Sequence, residues 1–391
     1  MRASSLPPAS LVADTDGLGR LVRALALDPI VAVDTESNSF HAYREQVCLI
    51  QFSTLAADYI LDPIRVPDLS SLAPFFANPG QQKVFHAAQN DIVCLGRDYH
   101  FEFANIFDTM SAARTLGWPQ VGLAAILDIH FGVSMSKQYQ RIDWKRRPLA
   151  PEHLDYARLD THYLIALRDR QYQALTDAGH WPEAEEEFAR LARLGGDSDQ
   201  ADQALVPAFW RVKGARDLAP AQAAILEALF AYREQEAARR DCPPFKVMGE
   251  ATLIDLTRRA PSRAEDLQGV PGMTPEQIRR HAQGVLHAVQ QGLHAPAPRE
   301  PPADRESDEV RDRYDRLHAW RKERARARGV ESDVILPRTA LWDLARRAPR
   351  THGELVHIMD LGPWRRETYG HEILALLSGA AGRPKPVAII S

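Results

Sequence analysis

The feature that most restricts the fold of this 391-residue chain is a repeat inside its C-terminal half. Residues 255–261, Asp-Leu-Thr-Arg-Arg-Ala-Pro, recur as residues 343–349, Asp-Leu-Ala-Arg-Arg-Ala-Pro. At the same spacing and without a gap, Tyr-Arg at 232–233 aligns with Trp-Arg at 320–321, and Val-Met at 247–248 with Ile-Leu at 335–336. Strand patterns are scarce in this half. The repeat therefore predicts two similar all-α units.

Two breaks separate these units from each other and from what precedes them. A glycine-rich polar run, 195–200, follows a long helical stretch that starts near Pro151, and a proline-rich segment, 294–302, lies between the repeats. We predict a first domain over residues 1–195, helical units over 210–294 and 309–380, a linker over 295–308 and a tail over 381–391.

The first domain has a mixed α/β pattern. Closely spaced apolar runs at 30–33, 47–52 and 59–61 predict three short strands, which their short connections make antiparallel. Strand candidates at 83–85 and 105–107 then alternate with apolar residues at helical spacing. The predicted fold class is α/β, a mixed sheet flanked by helices.

The composition restricts the classes of function. The formal net charge is −4 and the pI about 6.4, so any contact with nucleic acid must rest on local charge. Cys48, Cys94 and Cys242 lie far apart without zinc-ligand spacing, which argues against a disulfide framework or a zinc site. No apolar run has the length of a signal peptide or a membrane span, so we expect a cytoplasmic protein without a membrane partner.

A pair of carboxylates follows the first predicted strand. Asp34 and Glu36 are two residues apart, so both side chains leave the same face of an extended strand. Two carboxylates that converge repel each other unless a cation bridges them, and hard oxygen ligands suit Mg²⁺ or Mn²⁺. A solvated strand end is the alternative.

Further candidates follow along the chain. Asp91 lies where a strand leads into a helix, which alone fits a first-turn residue favoured by the helix dipole. Tyr156 and Asp160 are four residues apart and share one face of a helix, as surface pairs often do. Asp108, before the helical run at Met110, is interpreted as a helix cap and not as a further catalytic carboxylate.

Taken in order, Asp34-x-Glu36, Asp91 and Tyr156-x-x-x-Asp160 resemble the motifs of the DEDD exonucleases, in their DEDDy branch. The segments 141–144, Arg-Ile-Asp-Trp, and 147–149, Arg-Pro-Leu, with Tyr-Ala at 156–157, resemble the approach to the third motif in the ribonuclease D family. His86-Ala87 before Asp91 also fits the pattern of this family. The similarity covers residues 29–167.

The resemblance implies a ribonuclease H-like fold and a metal-dependent 3′ to 5′ exoribonuclease that releases nucleoside 5′-monophosphates. It implies that two divalent ions, Mg²⁺ or Mn²⁺, are held by Asp34, Glu36, Asp91 and Asp160, and that Tyr156 orients the attacking water. The implied partner is RNA, with 3′ ends of tRNA precursors or other stable RNA as substrate. We favour a monomer.

The two helical units resemble HRDC modules, on residues 253–261 and 266–272. In the first unit, residues 269–274 could present a helix N-terminus to phosphate. In the second, a nearly continuous basic run is the best local patch for RNA: Arg321, Lys322, Arg324, Arg326 and Arg328. Scaffolding of the first domain is the alternative, because charge runs often mark only a solvated face.

Contacts with substrate are predicted at His41 and Tyr43, where a terminal nucleotide could stack, and at His86, Arg321 and Arg324. Trp144 and Arg147 are interpreted as packing beneath the active-site helix.

Two other functions stay open. One is a DNA exonuclease of the Werner-like branch, and the other is a non-catalytic RNA-binding adaptor, which the full set of carboxylates disfavours.

Overall fold

A six-stranded mixed sheet forms the centre of the first domain in the computed structural model, which describes residues 6–136, 138–196, 207–301 and 306–378. The strands are β1 (Ser10–Val12), β2 (Ile30–Ser37), β3 (Val47–Ser53), β4 (Asp58–Leu61), β5 (Gln82–Phe85) and β6 (Ile106–Asp108). Their order is β1-β4-β3-β2-β5-β6. The predicted fold class is confirmed.

The pairing of the strands decides where their ends meet. β2, β3 and β4 are antiparallel neighbours, as the short connections predict. β5 runs parallel to β2, and β6 runs parallel to β5. The carboxyl ends of β2 and β5 therefore meet at one edge of the sheet, where the loops that follow them approach each other.

Helices cover both faces of this sheet. They are α1 (Thr15–Leu25), α2 (Ala73–Ala77), α3 (Gln89–Tyr99), α4 (Thr109–Thr115), α5 (Leu123–Phe131), α6 (Pro151–His162), α7 (Leu164–Asp177) and α8 (Trp181–Ala192). The single helical stretch predicted after Pro151 is three helices, α6 to α8. Helix α6 starts with its proline in the first turn, where the missing N–H costs nothing, and packs across β2, β3 and β4.

Two helical units follow, and their helices repeat at the spacing of the sequence repeat. The first has α9 (Pro220–Arg239), α10 (Pro244–Val247), α11 (Glu250–Arg259) and α12 (Pro275–His294). The second has α13 (Asp308–Arg328), α14 (Ser332–Ile335), α15 (Arg338–Arg347) and α16 (Pro363–Leu377). Each unit encloses its own apolar core.

The repeated Ala-Pro dipeptide ends a helix in both units. Ala260 and Ala348 cap α11 and α15 in the left-handed conformation, with φ of 44° and 46°. This conformation is unfavourable for a residue with a Cβ, and the proline that follows prevents continuation of the helix. The repeat therefore preserves a specific helix stop in addition to a hydrophobic pattern.

Both units are attached to the first domain by polar contacts. In the first unit, Asp241 accepts a hydrogen bond from the Tyr43 backbone N–H at 3.2 Å and pairs with Lys145. In the second, Arg328 forms an ion pair with Glu183 of α8 and donates to the carbonyl of Thr115 at 2.9 Å. Glu183 is fully buried, so this contact is an internal one.

Several predicted segments lie wholly or partly outside the described residues. They are the polar break after Gly196, part of the linker and the tail at 381–391. Across the described ranges, no helix combines the length and the apolar character that crossing a membrane requires.

Candidate active site

The predicted catalytic residues come from three elements that meet at one edge of the sheet. Asp34 and Glu36 lie near the end of β2, and a register shift follows directly after Glu36. Asp91 lies in the first turn of α3, which follows the carboxyl end of the neighbouring parallel strand β5. Tyr156 and Asp160 are on α6, which packs over β2. The topology thus brings together residues that are far apart in sequence.

Three of the carboxylates converge closely enough to share an ion. One oxygen from each of Asp34, Glu36 and Asp160 lies within 4.8 Å of the others. Asp91 is buried beside them but is not one of this converging set; its Oδ1 accepts a hydrogen bond from the Thr35 hydroxyl at 2.5 Å. Thr35 was not predicted, because alternation along β2 directs its side chain to the other face from Asp34 and Glu36.

The electrostatics of the cluster fit a cation. Burial raises the pKa of Asp34 well above its usual value, and the neighbouring Asp91 and Asp160 raise it further. Burial also raises the pKa of Glu36 well above its usual value, and that of Asp160 and of Asp91 to about 7. A bound cation would offset the repulsion between these neighbouring carboxylates, and several carboxylate oxygens are the ligands that Mg²⁺ and Mn²⁺ prefer. These residues fit a divalent metal.

Tyr156 is held rigidly beside the carboxylates. Its ring is inclined by 26° to that of Trp144, with centroids 6.1 Å apart, and meets Tyr139 edge to face. Burial, with the charges of Asp160, Glu36 and Asp34, raises the pKa of the phenol further above its ordinary value of 10.0. The phenol therefore stays neutral at physiological pH and can donate a hydrogen bond.

Trp144 and Arg147 occupy the positions that the packing interpretation gives them. Trp144 is 1% exposed and contacts the underside of α6. Arg147 forms a two-point ion pair with buried Asp62, at 2.5 and 2.8 Å, and donates to the carbonyl of Cys48 at 2.9 Å. Together they fix the segment before α6 against β3 and the residues that follow β4.

A cleft of about 460 Å³ opens over the carboxylates. Asp34, Tyr156 and Asp160 line it, together with the polar residues His86, Gln120, Ser136 and Gln140. Its other lining residues are apolar or small and come from α4, the start of α5 and the loop after α5: Met110, Gly122, Leu123, Ala124, Ala125 and Met135. These apolar lining residues were not predicted, because alanine, leucine and methionine at these positions look like ordinary helix residues in the sequence.

Asp108 is the helix cap that the sequence predicts. Its Oδ1 accepts from the Ser111 N–H at 2.6 Å at the start of α4. Its Oδ2 accepts from the Ala88 N–H at 2.8 Å and so also fixes the loop before α3. Asp108 thereby fixes Ala88, the N-cap residue of α3, whose first turn carries Asp91.

The other predicted substrate contacts are placed differently. His41 Nε2 lies 2.9 Å from the carbonyl of Arg141, and the Tyr43 hydroxyl donates to Glu234 of the first helical unit at 3.2 Å. Arg321 is buried and donates to the carbonyl of Leu336, and Arg324 forms an ion pair with Glu372. The structure thus brings none of these four to the cleft; only His86 lines it.

The basic run of the second unit is consequently not one exposed patch. Arg328 is engaged with Glu183, so only Lys322 and Arg326 of the five cations are exposed. Helical periodicity explains the difference, because successive residues of α13 point in different directions and some must face the core.

Comparison with known proteins assigns both parts of the chain. A family model described as a 3′-5′ exonuclease matches residues 10–174, and the HRDC domain model matches residues 222–289 and 310–377. The exosome complex exonuclease RRP6 of Saccharomyces cerevisiae is 30% identical over 278 residues, which cover 67% of this chain and 38% of that protein. The chain spans less than half the length of the curated relatives it matches.

Comparison with solved structures agrees with this assignment. The catalytic core of RRP6 from Trypanosoma brucei is 27% identical with a TM-score of 0.62, covering 75% of this chain and 81% of that one. Escherichia coli RNase D, an exoribonuclease involved in structured RNA processing, has a TM-score of 0.69 and covers 95% of this chain and 99% of its own. At 23% identity, the likeness to RNase D shows that the two proteins share a fold.

Proposed function

Because the chain belongs to the DEDD-type 3′-5′ exonucleases that carry HRDC domains, we propose that it is a metal-dependent exoribonuclease that removes nucleotides from the 3′ end of RNA. The observation that carries the proposal is the convergence of Asp34, Glu36 and Asp160 within 4.8 Å in an open cleft. The RRP6 likeness over both parts of the chain supports RNA as the substrate.

Asp34, Glu36, Asp91 and Asp160 would hold two divalent ions, Mg²⁺ or Mn²⁺. When bound, such ions lower the pKa of an attacking water and neutralise charge on the phosphate oxygens. The chain itself supplies the placement. β2 and α6 present carboxylates from two sides, and Thr35 and Asp108 restrain the position of Asp91 and its loop.

Tyr156 orients the water that attacks the terminal phosphodiester. Its phenol is a hydrogen-bond donor and acceptor whose proton is retained, so it positions the water and does not remove a proton from it. The buried Trp144 ring packs beside the phenol ring, with centroids 6.1 Å apart. Attack of water on phosphorus breaks the bond between phosphorus and the 3′ oxygen of the preceding nucleotide. The products are a nucleoside 5′-monophosphate and an RNA that is one nucleotide shorter and ends in a 3′-hydroxyl.

The apolar residues that line the cleft suit the base of the terminal nucleotide. Leu123, Ala124 and Met135 offer contact area without hydrogen-bonding groups, so any base can lie against them. A nuclease that trims extensions of varied sequence needs this tolerance. We propose that the substrates are 3′ extensions of stable RNA such as tRNA precursors, in line with the structured RNA processing of Escherichia coli RNase D.

The test is to measure nucleotide release from a tRNA precursor with a 3′ extension, in Mg²⁺, in Mn²⁺ and in chelator. Wild-type protein is compared with Asp34→Asn and Asp160→Asn. The matched control is Glu152→Gln, because Glu152 is an exposed carboxylate on α6, the helix that carries Asp160. We expect 5′-monophosphates only with metal, and only from wild type and the control. Equal release by all four proteins, or release in chelator, would contradict the proposal.

A further inference from the structure

A glutamine from the loop before α6 lies beside Tyr156 in the cleft. Gln140 is exposed, and it lines the cleft together with Tyr156 and Asp160. Its side-chain amide forms a hydrogen bond with the Tyr156 phenol. The phenol that orients the attacking water therefore has a partner within the protein.

The backbone around Gln140 is fixed on both sides. The ring of Tyr139 meets the ring of Tyr156 edge to face, with centroids 5.8 Å apart. The carbonyl of Arg141 lies 2.9 Å from Nε2 of His41. Because both neighbours are held, the exposed side chain of Gln140 can keep its amide at the phenol although this loop is neither helix nor strand.

The effect of the hydrogen bond on the phenol identifies the donor. Burial raises the pKa of Tyr156, whereas the bond to Gln140 lowers it. A hydrogen bond lowers the pKa of an acid when it favours the charged form, and an anionic oxygen can only accept. The amide N–H of Gln140 therefore donates to the phenol oxygen, and the phenol proton stays available for another partner.

The geometry of a phenol restricts where that proton can point. The O–H bond stays near the plane of the ring, which leaves it two orientations. A donor that occupies one of these positions leaves the proton in the other. Water has two lone pairs, so it can attack phosphorus with one and accept a hydrogen bond from the phenol with the other.

We propose that Gln140 is a positioning residue for Tyr156: its amide holds the phenol hydroxyl so that the proton points at the attacking water in the cleft. This inference rests on the proposed exoribonuclease function. Gln140 acts through Tyr156 alone, so its replacement should slow the reaction and leave the binding of RNA unchanged. Loss of one such hydrogen bond lowers kcat by about three- to tenfold.

The experiment measures kcat and KM for nucleotide release from a single-stranded RNA with Mg²⁺. Gln140→Met keeps the length of the side chain and removes the donor. Gln138→Met is the matched control, because Gln138 is exposed in the same loop and is not one of the residues that line the cleft. We expect Gln140→Met to lower kcat by about three- to tenfold at an unchanged KM, and the control to match wild type. An unchanged kcat, with or without a raised KM, would overturn the inference.

Combination with Tyr156→Phe separates action through the phenol from any other role of Gln140. In a chain that already carries Tyr156→Phe, no phenol proton remains to be directed. Gln140→Met should therefore cause no further loss of kcat in that chain. The same loss with and without Tyr156→Phe would overturn the inference.

Failure of the inference is distinguishable from failure of the proposed function. If wild type releases no nucleotide with Mg²⁺ or Mn²⁺, the exoribonuclease proposal fails. If wild type is active and Gln140→Met has the same kcat as Gln138→Met, that proposal stands and the role of Gln140 falls.

Discussion

Replacement of Asp160 by asparagine should stabilise the metal-free protein, and increasingly so as the pH rises. Burial and the neighbouring Asp91 raise the pKa of the Asp160 carboxyl to about 7 from its ordinary value of 3.8. Between these values the folded state binds more protons than the unfolded state, so a raised pKa lowers stability as pH increases. The asparagine side chain has a similar shape and no charge.

The magnitude follows from the two pKa values. The full shift corresponds to about 4 kcal/mol, which is reached above a pH of about 7. Roughly 2 kcal/mol of it accumulates between a pH of about 5.5 and a pH of about 8. The advantage of Asp160→Asn over wild type should therefore grow by about 2 kcal/mol across this interval.

The assay is urea unfolding in chelator at these two pH values, followed by circular dichroism. Glu152→Gln is the control, because this exposed carboxylate on the same helix should give a difference that does not change with pH. Addition of Mg²⁺ at the higher pH should stabilise wild type more than Asp160→Asn. An advantage of Asp160→Asn that is absent, or equal at both pH values, would refute the raised pKa of the Asp160 carboxyl.

Three further substitutions have defined outcomes. Tyr156→Phe should lower kcat for nucleotide release roughly 10²-fold and leave the Mg²⁺-dependent stabilisation unchanged, because only the orienting hydroxyl is lost. Arg328→Leu should cost about 3–5 kcal/mol in urea unfolding by leaving Glu183 buried and unpaired, and Glu183→Leu in the same chain should restore most of it. Trp144→Ala should cost about 3–5 kcal/mol by opening a cavity beneath α6, measured in the same way.

The site was predictable from sequence where local pattern and spacing determine structure. Asp34 and Glu36 follow a buried strand at a separation of two, and the structure places them with Asp160. The repeat identified two similar units because it preserves the same helix stops at Ala260 and Ala348. The strand β1 was missed because three residues are too few to show alternation.

Contacts between distant segments were not predictable. Glu183 belongs to an acidic run that is typical of a solvated helix, yet it is buried against Arg328. Arg321 belongs to a basic run that is typical of a nucleic-acid surface, yet it is buried and bonded to the carbonyl of Leu336. In both cases the packing of another element decides the role of the charge, and no local pattern records that packing.

The most direct test of the central claim is the direction of degradation of a 5′-labelled single-stranded RNA with Mg²⁺, by wild type and by Asp34→Ala. We predict a ladder of labelled products that shortens one nucleotide at a time from the 3′ end in wild type and is absent in the variant. Internal cleavage, preference for the matched DNA, or equal activity of Asp34→Ala would contradict the account.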